Sequence, residues 1–258
     1  MAGVNTIFDL EPLILDDGND ELELKIQSDD KGKEGDVRDV LIIRRRIEWE
    51  IGLSVKHNHF AVKHSRLSKK LDFGDKWYGI PCSETYWNDI KPIFDYLDKE
   101  KEKGSKWKDL SNKEEDVYIP LLNAFKNELI RQNKLEERNI PKVMVEYLLG
   151  KFDFYKLISI DNKKTTQLQS YNLRGQLNKQ GISRKRKREL PIPLLPTRIV
   201  ALEFKPGSKN TLELYMDGGW QFSFRIHNAS SKVEASLKFD IQIIGMPITI
   251  ISIDCKWK

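Results

Sequence analysis

The stretch that decides the fold is "IEWEIGLSVKHNH", residues 47–59. Apolar side chains stand at alternate positions from Ile47 to Val55, and polar or small residues fill the positions between them. A period of two over this length predicts a β-strand with one apolar face and one polar face. The polar face ends on Lys56, and the triplet "HNH" follows it directly.

The preceding stretch, "DVRDVLIIRR" (36–45), is rich in β-branched residues and predicts the partner strand of a hairpin. The turn is centred on Arg45-Arg46 or on Arg46-Ile47. Pairing about either centre collects the apolar residues of both strands on one face, among them Val40, Ile42, Ile51 and Leu53.

This register also decides which acid accompanies Lys56. It places Asp39 with Ser54 and Lys56 on the polar face, at the end of the hairpin away from the turn. The opposite register would bury Asp39 among apolar side chains, where an isolated carboxylate is costly. We therefore expect Asp39, and not Asp36, beside Lys56. The alternative is that Lys56 is an ordinary surface lysine at a strand end.

An aspartate and a lysine at one end of two paired strands form the core of a metal-dependent phosphodiesterase. In that chemistry the carboxylate holds Mg²⁺, and the lysine neutralises developing charge and helps to orient the attacking water. Asp39 is accordingly the first predicted metal ligand.

The usual signature has a second acid two residues before the lysine, where this chain has Ser54. Glu50 faces the same way, but six residues of strand separate it from Lys56 by about 20 Å. The second acid is therefore expected elsewhere, and the two candidates are Asp36 and Glu11 in "IFDLEP".

The rest of the chain predicts helices first and strands afterwards. Residues 59–71 suit a helix or loop with a basic face, and apolar residues at helical spacing predict several helices within 83–150. Residues 151–258 contain many short strand-like runs. We expect one domain, residues 1–258, of the α/β class, in which 36–72 form the hairpin and a following basic helix.

Composition narrows the class of protein. The formal net charge is +5, which suits a polyanionic partner without requiring one. The only cysteines are Cys82 and Cys255, which make no disulfide framework and no CxxC pair. No apolar run approaches the ~20 residues of a membrane helix, and no signal-peptide pattern is present. The composition predicts a cytoplasmic protein with no membrane partner.

Four stretches make a resemblance specific: "GDVRDVLIIRR", "EIGLSVKHNHFAVKHSRLS", "VEYLLGKFDFYK" and "GWQFSFRIHNASSKVEASLKFDIQIIG". They resemble the HaeIII family of type II restriction endonucleases over nearly the whole chain. The resemblance implies a restriction-endonuclease-like PD-(D/E)xK fold, with a mixed central sheet flanked by helices and a β-rich C-terminal half. It also implies Mg²⁺ dependence, double-stranded DNA as substrate and, for the founding member, blunt cleavage of GGCC between G and C.

Two departures accompany the resemblance. Ser54 replaces the acid, and the chain begins close to "IFDLEP", so that an N-terminal element of the family is expected to be missing. A palindromic site favours a two-fold homodimer, or sequential action by a monomer. A cognate DNA methyltransferase is the expected cellular companion. The alternatives are a DNA-binding protein without cleavage and a repair or structure-selective nuclease on the same fold.

Basic residues behind Lys56 are candidates for DNA contact. We expect Lys63 and Arg66 to clamp phosphates, against the alternative of a solvated basic face. Asn58 and His59 are predicted to line the metal site, or else to cap the following helix.

A later strand carries a second set of candidates. Arg225 and His227 lie on its polar side, and Arg225 could bind guanine O6 and N7 bidentately. Asn228 and Lys232 would add base or phosphate contacts. The alternative is a structural salt bridge from Arg225 to Glu234 or Asp240.

The basic run "SRKRKREL" (183–190) predicts a flexible loop with non-specific affinity for the DNA backbone.

Overall fold

The computed structural model describes residues 2–15, 20–28, 36–135, 139–181, 185 and 188–257. The α-helices are α1 Ala2–Leu10, α2 Pro12–Leu15, α3 Phe73–Tyr78, α4 Glu84–Glu102, α5 Ile119–Leu135 and α6 Ile140–Leu149. The strands are β1 Glu23–Ile26, β2 Val40–Arg44, β3 Trp49–His57, β4 Ala61–Leu67, β5 Phe154–Ile160, β6 Thr165–Tyr171, β7 Ile199–Phe204, β8 Thr211–Met216, β9 Gln221–His227, β10 Leu237–Gly245 and β11 Ser252–Lys256.

The chain divides into two compact units. Unit 1 consists of Met1–Phe60, Leu149–Leu194 and Pro247–Lys258, and unit 2 of Ala61–Leu148 and Leu195–Met246.

Unit 1 is built on a six-stranded sheet in the order β1-β2-β3-β5-β6-β11. The β3–β5 pair is parallel and the other pairs are antiparallel, so the sheet is mixed. Its core joins α1 and α2 to the apolar side of the strands, with Trp49, Ile51 and Tyr155 almost completely buried. Burial of such large side chains supplies most of the driving force for this packing.

The hairpin has the register that the sequence predicts. Val40 pairs with Leu53 and Ile42 with Ile51, which centres the turn on Arg46-Ile47. A one-residue slip would have sent Trp49 and Ile51 to the polar face. The alternation of apolar and polar residues therefore determines which faces pair, and the structure has the second of the two predicted turn centres.

Unit 2 contains a five-stranded antiparallel sheet in the order β4-β10-β9-β8-β7. One face of this sheet meets a cluster of aromatic rings from the helices and strands. Trp77 and Phe125 from the helices contact Phe224 of β9 and Phe239 of β10. The opposite face carries the polar residues.

The predicted basic helix after the hairpin is wrong, because residues 61–67 form β4. Ala61, Ser65 and Leu67 are buried at odd positions, as a strand requires. The helical interpretation rested on apolar spacing within the segment alone. The hydrogen bonds of β4 go to β10, about 170 to 180 residues further along the chain, and local spacing does not reveal that partner.

The fold class is confirmed: a mixed α/β structure with helices beside the sheets and a strand-rich C-terminal half. The strands form two separate sheets, and the sheet of unit 1 is the mixed one. Pro92 lies inside the single helix α4. Among the helices that the structure describes, none is long and apolar enough to cross a membrane.

Candidate functional site

The end of the hairpin opposite its turn brings a carboxylate and an ammonium group together. Asp39 directly precedes β2, and Lys56 is the penultimate residue of β3. The Asp39 N–H donates to the Leu53 carbonyl at 2.7 Å, which continues the hairpin register to this end. Asp39 Oδ2 accepts from the Val55 N–H at 2.6 Å and lies 3.5 Å from Lys56 Nζ. The two groups that the register argument selects therefore meet.

Asp39 also offers an oxygen to a ligand. Its side chain is 45% exposed, and its Oδ1 accepts no hydrogen bond from the described part of the chain. Ser54 follows Leu53, the residue of β3 that pairs with Val40. Ser54 is buried, and its hydroxyl bonds to none of the described residues. Carboxylate and hydroxyl oxygens are hard ligands that suit small divalent cations. These residues fit a divalent metal, with Asp39 as its carboxylate ligand.

Asp36 is engaged by a buried arginine. Its carboxylate accepts two hydrogen bonds of 2.8 Å from the Arg38 guanidinium and one of 2.9 Å from Gln27 Nε2. Burial alone would raise the pKa of Asp36, but the hydrogen bonds from Arg38 and Gln27 outweigh it, and the pKa lies below its ordinary value. Asp36 is therefore ionised, and it forms an ion pair with Arg38.

The same arginine binds Glu50. Arg38 Nη1 donates to Glu50 Oε1 at 2.7 Å, and the arginine side chain lies over Gly52, where a Cβ would fall 2.0 Å from Arg38 Cδ. Glu50 therefore belongs to the Arg38 network in the middle of the hairpin. This agrees with the distance argument that separated Glu50 from Lys56.

Glu11 does not fit a metal ligand. It is fully buried, accepts a hydrogen bond of 2.5 Å from the Tyr155 hydroxyl and one of 2.7 Å from the Asn178 N–H. Burial raises the pKa of Glu11 to about 8 against these hydrogen bonds. Its partner Tyr155 pairs with Leu53 on the apolar face of the sheet, and Lys56 belongs to the polar face, so Glu11 and Lys56 lie on opposite sides of the sheet.

Asn58 and His57 both contact Asp161 at the end of β3. Asn58 has a positive φ of 50°, its Nδ2 donates to Asp161 Oδ2 at 2.9 Å, and its Oδ1 accepts from the Asp161 N–H at 3.0 Å. His57 Nε2 lies 2.7 Å from the same carboxylate oxygen. His59, the next residue in the chain, is half-buried. Asn58 therefore fixes the strand end and caps no helix.

Sequence reasoning missed Lys156 of β5. Its backbone pairs with Ser54, so its side chain shares the face of Ser54 and Lys56. It is 3% exposed, and its Nζ donates to the Phe60 carbonyl at 2.8 Å. The available signal is a lysine inside the apolar run "FYKLISI" (154–160), where a charged residue needs an explanation.

The polar face of the unit 2 sheet gathers several of the predicted DNA contacts. The register aligns one row of Arg66, Lys238 and His227, and a second row of His64, Asp240, Arg225 and Thr211. Arg225 Nη2 lies 3.1 Å from the buried Asp240 carboxylate, which is one of the salt bridges considered from the sequence. The Arg225 side chain nevertheless remains 56% exposed. Lys238 is a member of this face that the sequence did not single out.

Lys63 lies on the other face. Because residues three apart on a strand point to opposite sides, Lys63 cannot share a surface with Arg66 as it would on a helix. Its Nζ donates to the Tyr147 carbonyl at 2.8 Å and lies 3.7 Å from the centroid of that ring. Burial lowers the pKa of Lys63 to about 8. The expected basic surface formed by Lys63 and Arg66 is not observed. Arg66 Nη1 instead donates to Glu234 and Ser236.

Asn228 organises the loop after β9. Its Nδ2 donates to the carbonyls of Ser230 and Lys232, the latter at 2.7 Å, and its Oδ1 accepts from the Glu234 N–H at 3.3 Å. Lys232 is exposed on this loop, and His227 Nδ1 lies 2.9 Å from the Asn228 carbonyl. Within the basic run 183–190, residues 183, 184, 186 and 187 lie outside the described residues.

The comparisons with known proteins agree on one family. Residues 1–247 match the family model described as HaeIII restriction endonuclease. The chain is 57% identical over 258 residues to "Type II restriction enzyme HaeIII" of Haemophilus aegyptius, an alignment that covers all of this chain and 81% of that protein. No solved structure matches the chain.

Proposed function

This chain belongs to the HaeIII restriction endonuclease family, and we propose that it cuts double-stranded DNA at GGCC by Mg²⁺-dependent hydrolysis. The observation that carries the chemistry is the contact between Asp39 and Lys56 at the end of the hairpin. The family makes the chain a site-specific endonuclease that acts on DNA and suggests a divalent metal. The choice of GGCC, the blunt cut between G and C, and Mg²⁺ as the ion rest on the resemblance.

In the proposed mechanism Asp39 and Ser54 would hold the metal, which would supply Lewis-acid chemistry for the hydrolysis of the phosphodiester. The Lys56 ammonium faces the phosphodiester and stabilises the negative charge that grows on its oxygens. Asp39 Oδ2 holds Lys56 at the strand end, and the Val55 N–H in turn fixes Asp39. The hairpin register thus positions both groups.

We infer that Asp36 acts through Arg38. Its carboxylate and that of Glu50 neutralise the buried guanidinium of Arg38. Arg38 directly precedes Asp39 in the chain. Metal ligation by Asp36, the role expected from the sequence, would require it to give up hydrogen bonds from Arg38. In this account Asp36 supports Asp39 and does not touch the metal.

For DNA contact we propose the polar face of the unit 2 sheet, with Arg225 as the base-reading residue and Arg66 and His227 beside it. Lys232 would reach a phosphate from its exposed loop, and Asn228 would hold that loop. For Asn58 and His59 we propose positions along the DNA next to the cleavage site. Lys63 supports the packing of β4 and has no DNA contact in this proposal.

The assembly and cellular setting follow from the proposed reaction. A palindromic GGCC site suits a homodimer, or a monomer that cuts the two strands in succession. We propose a cognate DNA methyltransferase as companion, because unmodified host DNA would otherwise be cut. We propose that the enzyme acts in the cytoplasm of a prokaryotic cell and that residues 1–258 act as one endonuclease domain.

A defined duplex tests the proposal. A duplex with a single GGCC and a duplex with the same bases scrambled would be incubated with the protein and Mg²⁺. We expect blunt ends between G and C in the first duplex and none in the second. Ser54 at the acid position favours one alternative, a DNA-binding protein without cleavage, and binding of GGCC without cutting would establish it.

A further inference from the structure

The outer edge of the unit 1 sheet is a strand with exposed apolar side chains. β1 is the first strand in the sheet order, and among the strands that the structure describes none lies beyond it. Leu24 is 67% exposed and Ile26 is 83% exposed, although both lie on the core side of the sheet, where they pair with Ile42 and Val40 of β2. Leu22, just before β1, packs against that core. An open edge of this kind is ready to pair with another strand.

The backbone of β1 decides which residue a further strand would meet. The Gln27 N–H donates to the Asp39 carbonyl at 2.9 Å and therefore points toward β2. Successive residues of a strand direct their backbone groups to opposite edges. The backbone groups of Lys25 thus face β2 as well, and those of Leu24 face outward. A strand added at this edge would form hydrogen bonds with Leu24.

The sequence of β1 is complementary to itself in one antiparallel register. When Leu24 lies opposite the partner's Leu24, Glu23 lies opposite the partner's Lys25, and the symmetry repeats this pair. On the other face, Ile26 meets the partner's Leu22 beside the core. Registers centred on Glu23 or on Lys25 would place two like charges directly opposite each other, which is unfavourable.

The two charged side chains can make these pairs without losing a contact. Glu23 Oε2 accepts from Arg45 at 2.7 Å, and its Oε1 accepts no hydrogen bond from the described residues. Lys25 is exposed and has no ion-pair partner in the described part of the chain. A lysine on an edge strand often prevents pairing with other strands. Here the self-complementary register gives Lys25 a carboxylate instead.

We propose that β1 pairs with β1 of a second copy about a two-fold axis at Leu24, so that this edge is the dimer surface of the protein. The inference deepens the proposed function and rests on it, because a palindromic DNA site suits two-fold symmetry. Opposite residues of an antiparallel pair point to the same side of the sheet. Both copies therefore turn the face that carries Ser54 and Lys56 to one side, where a single duplex can meet both.

Exchanged charges test the register. In Lys25→Glu the two glutamates of one copy face those of the other, and in Glu23→Lys the same holds for lysines. Each variant alone is expected to have a dimer dissociation constant about 10-fold higher than wild type in sedimentation equilibrium. An equal mixture of the two pairs every glutamate with a lysine and should associate as tightly as wild type. Recovery in the mixture cannot come from damage to either fold.

A cross-link locates the surface. Leu24→Cys places two thiols opposite each other at the axis, and both native cysteines are buried, so a short bismaleimide should join two copies. Val200→Cys is the matched control, because Val200 is exposed on β7, the edge strand of the unit 2 sheet. It should give no cross-linked product.

Three results would overturn the proposal: a wild type that stays monomeric at every concentration, a mixture that does not recover association, or a cross-link in Val200→Cys in place of Leu24→Cys. These measurements use the protein without DNA or metal. A wild type that forms this dimer but does not cut GGCC would overturn the proposed function instead.

Discussion

Lys56 and Asp39 lie 17 positions apart in the sequence, and the Lys56 ammonium stands 3.5 Å from the Asp39 carboxylate. The contact exists because the hairpin turns about Arg46-Ile47 and because Asp39 bonds to the backbone of Leu53 and Val55. A carboxylate that accepts hydrogen bonds through one oxygen and exposes the other can hold a metal and orient a lysine at once.

Asp39→Asn should abolish cleavage and leave binding almost unchanged. The amide keeps an oxygen that can accept from Val55, but it loses the charge that holds a divalent metal. We expect the cleavage rate to fall by about 1000-fold or more, which corresponds to several kcal/mol. The affinity for a GGCC duplex in EDTA should stay within a few-fold of wild type.

The matched control for this change is Asp254→Asn, which neutralises an exposed carboxylate on β11 in the same unit. Its cleavage rate should equal that of wild type. Rapid cleavage by Asp39→Asn would remove Asp39 from the metal site and with it the proposed mechanism.

Arg225→Ala should reduce sequence discrimination. A bidentate arginine–guanine contact is worth about 1–3 kcal/mol, so the preference for GGCC over a scrambled duplex should fall by about 10- to 100-fold. Competition binding in EDTA measures this ratio. Arg66→Ala, which would remove a predicted phosphate contact on the same face, should weaken binding to both duplexes equally. An unchanged preference in Arg225→Ala would show that the bases are read elsewhere.

Gly52→Ala should destabilise the fold. Its Cβ would fall 2.0 Å from Cδ of the buried Arg38, which is held by Asp36 and Glu50 and cannot move freely. Overpacking of this kind costs about 1–3 kcal/mol. Urea denaturation measures the difference in the free energy of unfolding.

The comparison for Gly52 is Gly104→Ala. Gly104 has a positive φ of 73° but no atom within 4 Å of an added Cβ. That change should cost only about 1 kcal/mol through backbone strain. Equal losses of unfolding free energy at the two positions would mean that the Arg38 side chain moves aside at little cost. Asp36 and Glu50 would then not hold it in place.

Glu11 predicts a pH dependence of stability. Its pKa is about 8 in the fold and returns to 4.5 when the chain unfolds, so its contribution is complete below pH 4.5 and is lost as pH rises toward 8. Between these values the free energy of unfolding should fall by up to roughly 1.4 kcal/mol per pH unit, the limiting slope for one proton. Glu11→Gln should flatten this part of the profile, as measured by denaturation from pH 5 to 8. A wild-type slope in Glu11→Gln would assign the dependence to other groups.

The sequence predicts the hairpin well because its information is local. Alternation from Trp49 to Lys56 fixes the faces, and the cost of burying Asp39 excludes the registers that would turn it toward the apolar face. The same local reasoning fails at 61–67, where the partner strand β10 lies far along the chain. Lys63 and Arg66 are three residues apart, so they would share a face on a helix. On the strand β4 they point to opposite sides.

Lys156 shows a different limit. Its position beside Ser54 depends on a parallel pairing between strands roughly a hundred residues apart, and no periodicity within β5 reports that register. The sequence can mark a lysine in an apolar run as unusual, but only the sheet order brings it to the row of Asp39 and Ser54. Lys238 likewise joins Arg66 and His227 through strand pairing alone.

The most direct test of the account is digestion of a plasmid with many GGCC sites, by wild type and by Lys56→Ala, each in Mg²⁺ and in EDTA. We expect wild type in Mg²⁺ to give discrete fragments with blunt ends at GGCC, and the other three reactions to leave the plasmid intact. Cutting by Lys56→Ala at the wild-type rate, or tight binding by wild type with no cutting in any divalent metal, would contradict it.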